Sequence, residues 1–126
     1  MSRPAADLTQ RELEVMHVFW RQRRLTAAEA RDCLARAGRD LTYPTVANLV
    51  RILHEKGFLE QTNDERPFTY EPVQSYEDVS QNLLSDVLDR VFRGSREQLL
   101  VRLLERRPLT GKERAFLQAI LEEEPS

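Results

Sequence analysis

The sequence predicts a mainly α-helical chain in which three helices and a β-hairpin are followed by three further helices. Three observations predict it. First, a Ser or Thr is followed three residues later by Glu, Gln or Asp ahead of five apolar-periodic segments: Thr9/Glu12, Thr26/Glu29, Ser75/Asp78, Ser95/Gln98 and Thr110/Glu113. Such pairs satisfy orphan amides at a helix N-terminus reciprocally, although the Asp78 side chain is short for the usual reach. Second, Gly38, Gly57 and Gly94 suit the left-handed position just past a helix, and Pro108 blocks continuation. Third, the stretch "FLEQTNDERPFTYEP" breaks the helical period and alternates instead.

Taken in order, these signals place helices near 10–23, 27–37, 43–56, 76–93, 96–106 and 111–123. In the first, Leu13, Met16 and Trp20 make one stripe and Val15 and Phe19 another. Trp20 is expected in the core, and Phe19 at the junction with the second domain. His17, beside the first stripe, reads as a partly buried structural histidine. The segment 43–56 carries Val46, Leu49, Val50 and Leu53 at i, i+3, i+4 and i+7, a single buried face. The opposite face carries Pro44, Asn48, Arg51 and Glu55. Two short strands, 58–61 and 67–71, flank the polar turn "TNDER", with Phe68 and Tyr70 on one face of the second.

Helix, helix, helix, hairpin, with the second and third helices joined by "GRDLT", is the order of a winged helix-turn-helix. It is predicted to fill residues 1–72. Residues 73–126 hold three helices and no strand. The helix at 76–93 spreads its apolar residues over more than half its circumference, wider than one core needs. So short a segment is near the size at which a lone core becomes marginal. Two broad apolar faces need a second surface, and a second copy of the chain is its simplest source. The expected interface comprises Leu84, Val87, Leu88, Val91, Leu99, Leu103, Leu117 and Ile120. The alternative is that these residues pack only on the first domain of their own chain.

Size and composition agree with this plan. The 126 residues suit one ordinary domain or two small ones, and 40% hydrophobic residues suffice to bury a core. No apolar run is long enough to span a membrane, and the opening "MSRPAADLTQRE" lacks the apolar stretch of a signal peptide. A cytoplasmic protein without a membrane partner is therefore expected. Cys33 is the sole cysteine, which excludes an intrachain disulfide and a cysteine-only metal cluster. His17 and His54 have no ligand-like neighbours at metal-site spacing.

Catalysis needs a constellation that the sequence does not offer. Its four glycines are isolated, so there is no phosphate-cradling loop, and no metal or cofactor motif occurs. Cys33 sits mid-helix beside Leu34 and reads as a small structural thiol. The expectation is a protein that is not an enzyme and holds no cofactor and no metal.

The net charge of −2 does not mark a nucleic-acid binder, but its distribution says more. Residues 21–51 hold seven arginines (21, 23, 24, 31, 36, 39 and 51) against Glu29, Asp32 and Asp40. A major groove admits one α-helix, whose base-reading side chains lie near its N-terminus. Asn48 and Arg51 stand one turn apart on the face away from the core. Asn pairs bidentately with adenine and Arg with guanine. Thr42 is the expected N-cap, with Tyr43, Pro44 and Thr45 in the first turn. Amides at the start of the 27–37 helix suit a phosphate, with Thr26 and Arg24 beside them. Arg66 at the wing tip can reach backbone phosphate or the minor groove. In the plain structural reading, Asn48 and Arg51 are ordinary exposed residues and Arg51 pairs with Glu55.

At this point a family resemblance becomes visible. "LTQRELEVMHVFW", "LTAAEARDCL", "YPTVANLVRILHEKGFLE", "RPFTYEP" and "VFRGSREQLLVRLLE…LT" resemble, in the right order, the penicillinase-repressor (BlaI/MecI/CopY) family of bacterial transcriptional repressors. The likeness covers residues 8–123. It implies a winged-helix N-terminal domain, a helical dimerisation domain and binding to dyad-symmetric operators. Leu8, Thr9, Glu12, Val15, Met16, Trp20, Tyr43, Thr45, Val46, Lys56, Gly57, Arg66, Phe68 and Tyr70 match the family pattern. Pro44 and Asn48 stand where the family has threonines, and Ile52 where it has an arginine, with Arg51 next door; these departures bear on the operator sequence more than on the fold. The copper-responsive members carry a C-terminal cysteine-rich site, whereas "LEEEPS" has no cysteine. The β-lactam-responsive members are relieved by cleavage in the dimerisation domain, which implies a regulatory protease as a partner.

The expectation is thus a homodimeric repressor on double-stranded operator DNA, with two recognition helices in successive major grooves roughly 34 Å apart. The rival is a winged-helix protein-interaction adaptor without DNA affinity, which needs acidic or apolar residues on the exposed recognition face.

Overall fold

A computed structural model describes residues 8–123. Residues 1–7, used above in arguing against a signal peptide, and 124–126 of the "LEEEPS" tail lie outside the described residues. The order is α1 (Gln10–Gln22), β1 (Leu25–Thr26), α2 (Ala27–Arg36), α3 (Tyr43–Glu55), β2 (Leu59–Gln61), β3 (Thr69–Pro72), α4 (Tyr76–Arg90), α5 (Arg96–Arg106) and α6 (Gly111–Glu123). Two compact units result, the first running to Leu84 and the second from Ser85.

The helix starts follow the capping chemistry. Glu12 N donates to Thr9 Oγ1 at 3.2 Å, and Thr9 N donates to Glu12 Oε1 at 2.9 Å. Thr26/Glu29 and Thr110/Glu113 repeat this exchange. Ser75 and Ser95 accept from the amides of Asp78 and Gln98. A shorter acidic side chain explains why Asp78 is the weaker partner. At the far end of α3, Gly57 takes φ +86° and its amide donates to His54 O, while Phe58 N donates to Leu53 O at 2.9 Å. Only glycine adopts that conformation without strain.

The first four helices stop earlier than the sequence signals suggest, α1, α2 and α3 by one residue and α4 by three. Arg23 leaves α1 at φ +77°, its amide donating to Phe19 O. Arg93 and Gly94 both take positive φ, so residues 91–94 form a turn after α4. Gly94 N reaches back to Leu88 O at 2.8 Å.

In the first unit α1, α2 and α3 enclose a core of Val15, Met16, Phe19, Leu34, Val46, Leu53 and neighbours. The sheet is antiparallel in the order β1-β3-β2, with Leu25 opposite Tyr70 and Gln61 also opposite Tyr70. The first strand is an addition to the predicted elements. Two residues cannot show a period, and Leu25–Thr26 becomes a strand only because β3 passes beside it. Phe58, expected in a strand, precedes β2 and is buried; β3 starts at Thr69, two residues later than the alternation suggests.

Three assignments in α1 are corrected. Phe19 is 0% exposed, inside the core of the first unit. Trp20 is half-buried, its indole Nε1 donating to Gln74 O at 3.0 Å. An indole N–H needs a partner, which draws the ring to the surface end of the stripe. His17 is exposed, its ring 5.3 Å from Trp20 and 5.9 Å from Tyr76.

The second unit is different in kind. No residue of α5 or α6 is buried. Leu103 is 60% and Phe116 68% exposed. Among the described residues, no helix is long and apolar enough to cross a membrane.

Candidate nucleic-acid interface

Helix α3 owes its position to one buried flank, with Val46, Leu49, Val50 and Leu53 in the core. Its other flank, Pro44, Asn48, Arg51 and Glu55, is exposed. Thr42 caps it, accepting from Thr45 N at 3.4 Å, and Pro44 sits in the first turn, where its missing N–H costs nothing. Tyr43 is 52% exposed at the first helical position.

The far end of α3 is anchored by charge. Lys56 Nζ donates to Glu12 Oε1 at 2.8 Å. Burial pushes the Glu12 carboxyl up, but the Lys56 hydrogen bond, the Thr9 amide, the Lys56 charge and the Thr9 hydroxyl together hold it below the ordinary carboxylate value.

The wing rises beside α3. Asn63 organises its loop: Nδ2 donates to Glu65 O at 3.0 Å and Pro67 O at 3.1 Å, while Oδ1 accepts from Thr69 N at 2.9 Å. The Arg66 guanidinium lies 5.3 Å from the centre of the Phe68 ring. A groove between the wing and α3 is lined by Thr26, Tyr43, Arg51, Arg66, Phe68, Tyr70 and the small residues Ala27 and Ala47, among others. Two guanidinium groups and no carboxylate line it.

The structure therefore brings Thr26, Tyr43, Arg51 and Arg66 to one groove, and holds Thr42, Pro44, Thr45 and Asn48 on the same helix. Arg24 lines no part of it; its Nη2 lies 3.5 Å from Glu71 Oε2. Thr26 and Glu29 occupy each other's amides in the capping box at the start of α2. Arg51 is also paired: Nη1 donates to Glu55 Oε1 and Nη2 to Asn48 Oδ1, both at 2.7 Å. Asn63 escapes the sequence reading as a site residue. Its sole sequence signal is an Asx residue in a polar turn, which does not say what the turn will hold. Among the described residues, no three His, Cys, Asp or Glu side chains come together as a metal site.

Three helices, a short antiparallel sheet and a basic groove beside an exposed helix flank define a winged helix-turn-helix module. A family model described as penicillinase repressor matches residues 8–123, and the chain belongs to that family. Among relatives, the methicillin resistance regulatory protein MecI of Mammaliicoccus sciuri is 23% identical over 121 residues, covering 96% of this chain and 98% of the relative. The transcriptional regulator BlaI of Mycobacterium tuberculosis is 32% identical over 91 residues, covering 71% of this chain and 65% of that protein. Among solved structures, the DNA binding domain of the repressor BlaI matches with a TM-score of 0.53 at 26% identity, over 62% of this chain and 93% of that one. A MarR mutant from E. coli complexed with operator DNA shares the fold, with a TM-score of 0.51 at 18% identity over 94% of this chain and 76% of its own.

Proposed function

We propose that this chain is a sequence-specific transcriptional repressor that binds a dyad-symmetric operator as a homodimer in the cytoplasm. The observation that carries the reading is α3, sealed into the core along one flank and exposing Pro44, Asn48 and Arg51 along the other. The groove beside it holds two arginines and no carboxylate, which suits a polyanion and not the acidic face of an adaptor. Family membership and the names of MecI and BlaI support regulation as the outcome.

Residues 1–72 act as the DNA-binding domain and 73–126 as the dimerisation domain. Helices α5 and α6 bury no residue, and exposed Leu84, Val87, Val91, Leu103, Leu117 and Ile120, with half-buried Leu88 and Leu99, are the surface a second copy covers. Two copies place two α3 helices in successive major grooves roughly 34 Å apart. Thr42, Tyr43, Pro44 and Thr45 meet the groove edge, Arg66 and Thr26 the backbone, and Arg24 the flanking phosphate once it leaves Glu71. A protease acting on the dimerisation domain is the regulatory input that the resemblance implies.

Titrating duplex DNA at two salt concentrations tests the DNA role, because phosphate contacts give a steep salt slope. Asn48→Ala and Arg51→Ala should each cost about 1–3 kcal/mol on operator DNA and little on random DNA. An equal loss on both removes the base-reading role. No binding at either salt leaves the adaptor reading.

A further inference from the structure

Along the exposed flank of α3, three side chains are joined end to end. Arg51 Nη1 donates to Glu55 Oε1 and Arg51 Nη2 donates to Asn48 Oδ1, each at 2.7 Å. A guanidinium carries donors only, so the Asn48 amide must face it with its oxygen. The amide nitrogen keeps both donors. An exposed ion pair of this kind adds little to folding. Its consequence lies in orientation. A guanidinium held at both terminal nitrogens has lost rotamer freedom before DNA arrives, so less is lost on binding.

We propose that Asn48, Arg51 and Glu55 act as one reading unit that selects guanine over adenine in the operator half-site, with Glu55 as the residue positioning Arg51. The inference rests on the base-reading role of α3 proposed above. Adenine shows the major groove one acceptor, N7, and one donor, N6, so an Asn reading it needs its oxygen and nitrogen together. In this protein Arg51 already takes one of the two acceptor positions of that oxygen, so adenine N6 would have to donate to the same atom beside a guanidinium charge, which weakens the adenine pairing. Guanine shows two acceptors, N7 and O6. The free N–H groups of the unit, on the Asn48 amide nitrogen and the Arg51 guanidinium, outnumber the acceptor positions left on Asn48, and these donors match guanine. Glu55 carries a negative charge towards a polyanion. Removing it raises affinity for every duplex alike, so base preference, not affinity, reports its role.

The experiment is selection from a randomised duplex pool with the full chain and four variants: Asn48→Ala, Arg51→Ala, Glu55→Ala and Glu55→Gln. Positions whose preference disappears in Asn48→Ala or Arg51→Ala should be guanine in the unaltered protein, enriched about tenfold over adenine. Glu55→Ala should flatten the Arg51-dependent position, and Glu55→Gln, whose amide oxygen still accepts, should restore it. Adenine at the Asn48-dependent position overturns the proposal, as does a Glu55→Ala selection identical to the unaltered one. An unaltered protein that enriches no sequence at all removes the base-reading role of α3 itself, and this proposal with it.

Discussion

Lys56 Nζ lies 2.8 Å from Glu12 Oε1, joining the C-cap of α3 to the first turn of α1. Glu12 is 4% exposed, and the same oxygen accepts from Thr9 N, so one carboxylate closes a capping box and anchors α3. The position of α3 is thereby coupled to the protonation of a side chain on another helix.

That coupling has a pH signature. The Glu12 carboxyl titrates below its ordinary value in the folded protein. Its contribution is therefore complete above the unfolded value, near about 4.3, and is lost as pH falls through the folded value. Lys56→Met removes the hydrogen bond and the charge of Lys56 and leaves burial opposed only by Thr9. The variant should be about 2–3 kcal/mol less stable at neutral pH, somewhat under the loss for a fully buried pair because Lys56 retains 22% of its side-chain exposure. The gap should narrow as pH drops through the carboxylate range, since protonating Glu12 relieves the variant and harms the original. Urea midpoints at pH 7 and 4 measure it, and a gap independent of pH contradicts the assignment.

Leu103 probes self-association without disturbing a protomer. It is 60% exposed in one copy. Leu103→Glu should therefore change protomer stability by less than about 0.5 kcal/mol. At a covered interface the same carboxylate is unpaired and desolvated. Sedimentation of the variant should show monomers with an unchanged helical spectrum. A dimer as tight as the original places the contact elsewhere.

Asn63 tests the wing. Asn63→Ala removes three hydrogen bonds that hold the loop to Glu65, Pro67 and Thr69. The cost is about 1–2 kcal/mol locally, because the site is half-buried and water replaces part of the loss. Hydrogen exchange at the Thr69 amide should accelerate. DNA affinity should fall about as far as in Arg66→Ala, and the double variant should fall little further. Full additivity would show that Asn63 does not act through the wing.

Helix placement is the most legible property of this chain, and the reason is local. Thr9, Thr26, Thr42, Ser95 and Thr110 do their capping within four residues, so their pattern survives in one dimension. The same holds for the buried flank of α3, since a helical period of Val46, Leu49, Val50 and Leu53 has one geometric meaning. Strand β1 is illegible because its pairing partner lies more than forty residues away, at Thr69 and Tyr70. The pairing state of the site residues is equally hidden. Arg24 meets Glu71 across the sheet, and nothing near Arg24 in the chain announces that carboxylate.

The sequence by itself determined where helices begin, which flank of α3 is apolar, and that the C-terminal helices carry more apolar surface than they can hide. These are consequences of short-range hydrogen bonding and of periodicity. The tertiary structure decided what those elements meet: Phe19 inside the core, Trp20 on Gln74, Arg66 and Arg51 lining one groove, and Lys56 on Glu12. Such contacts depend on chain crossings between residues distant in sequence, and no local propensity encodes them.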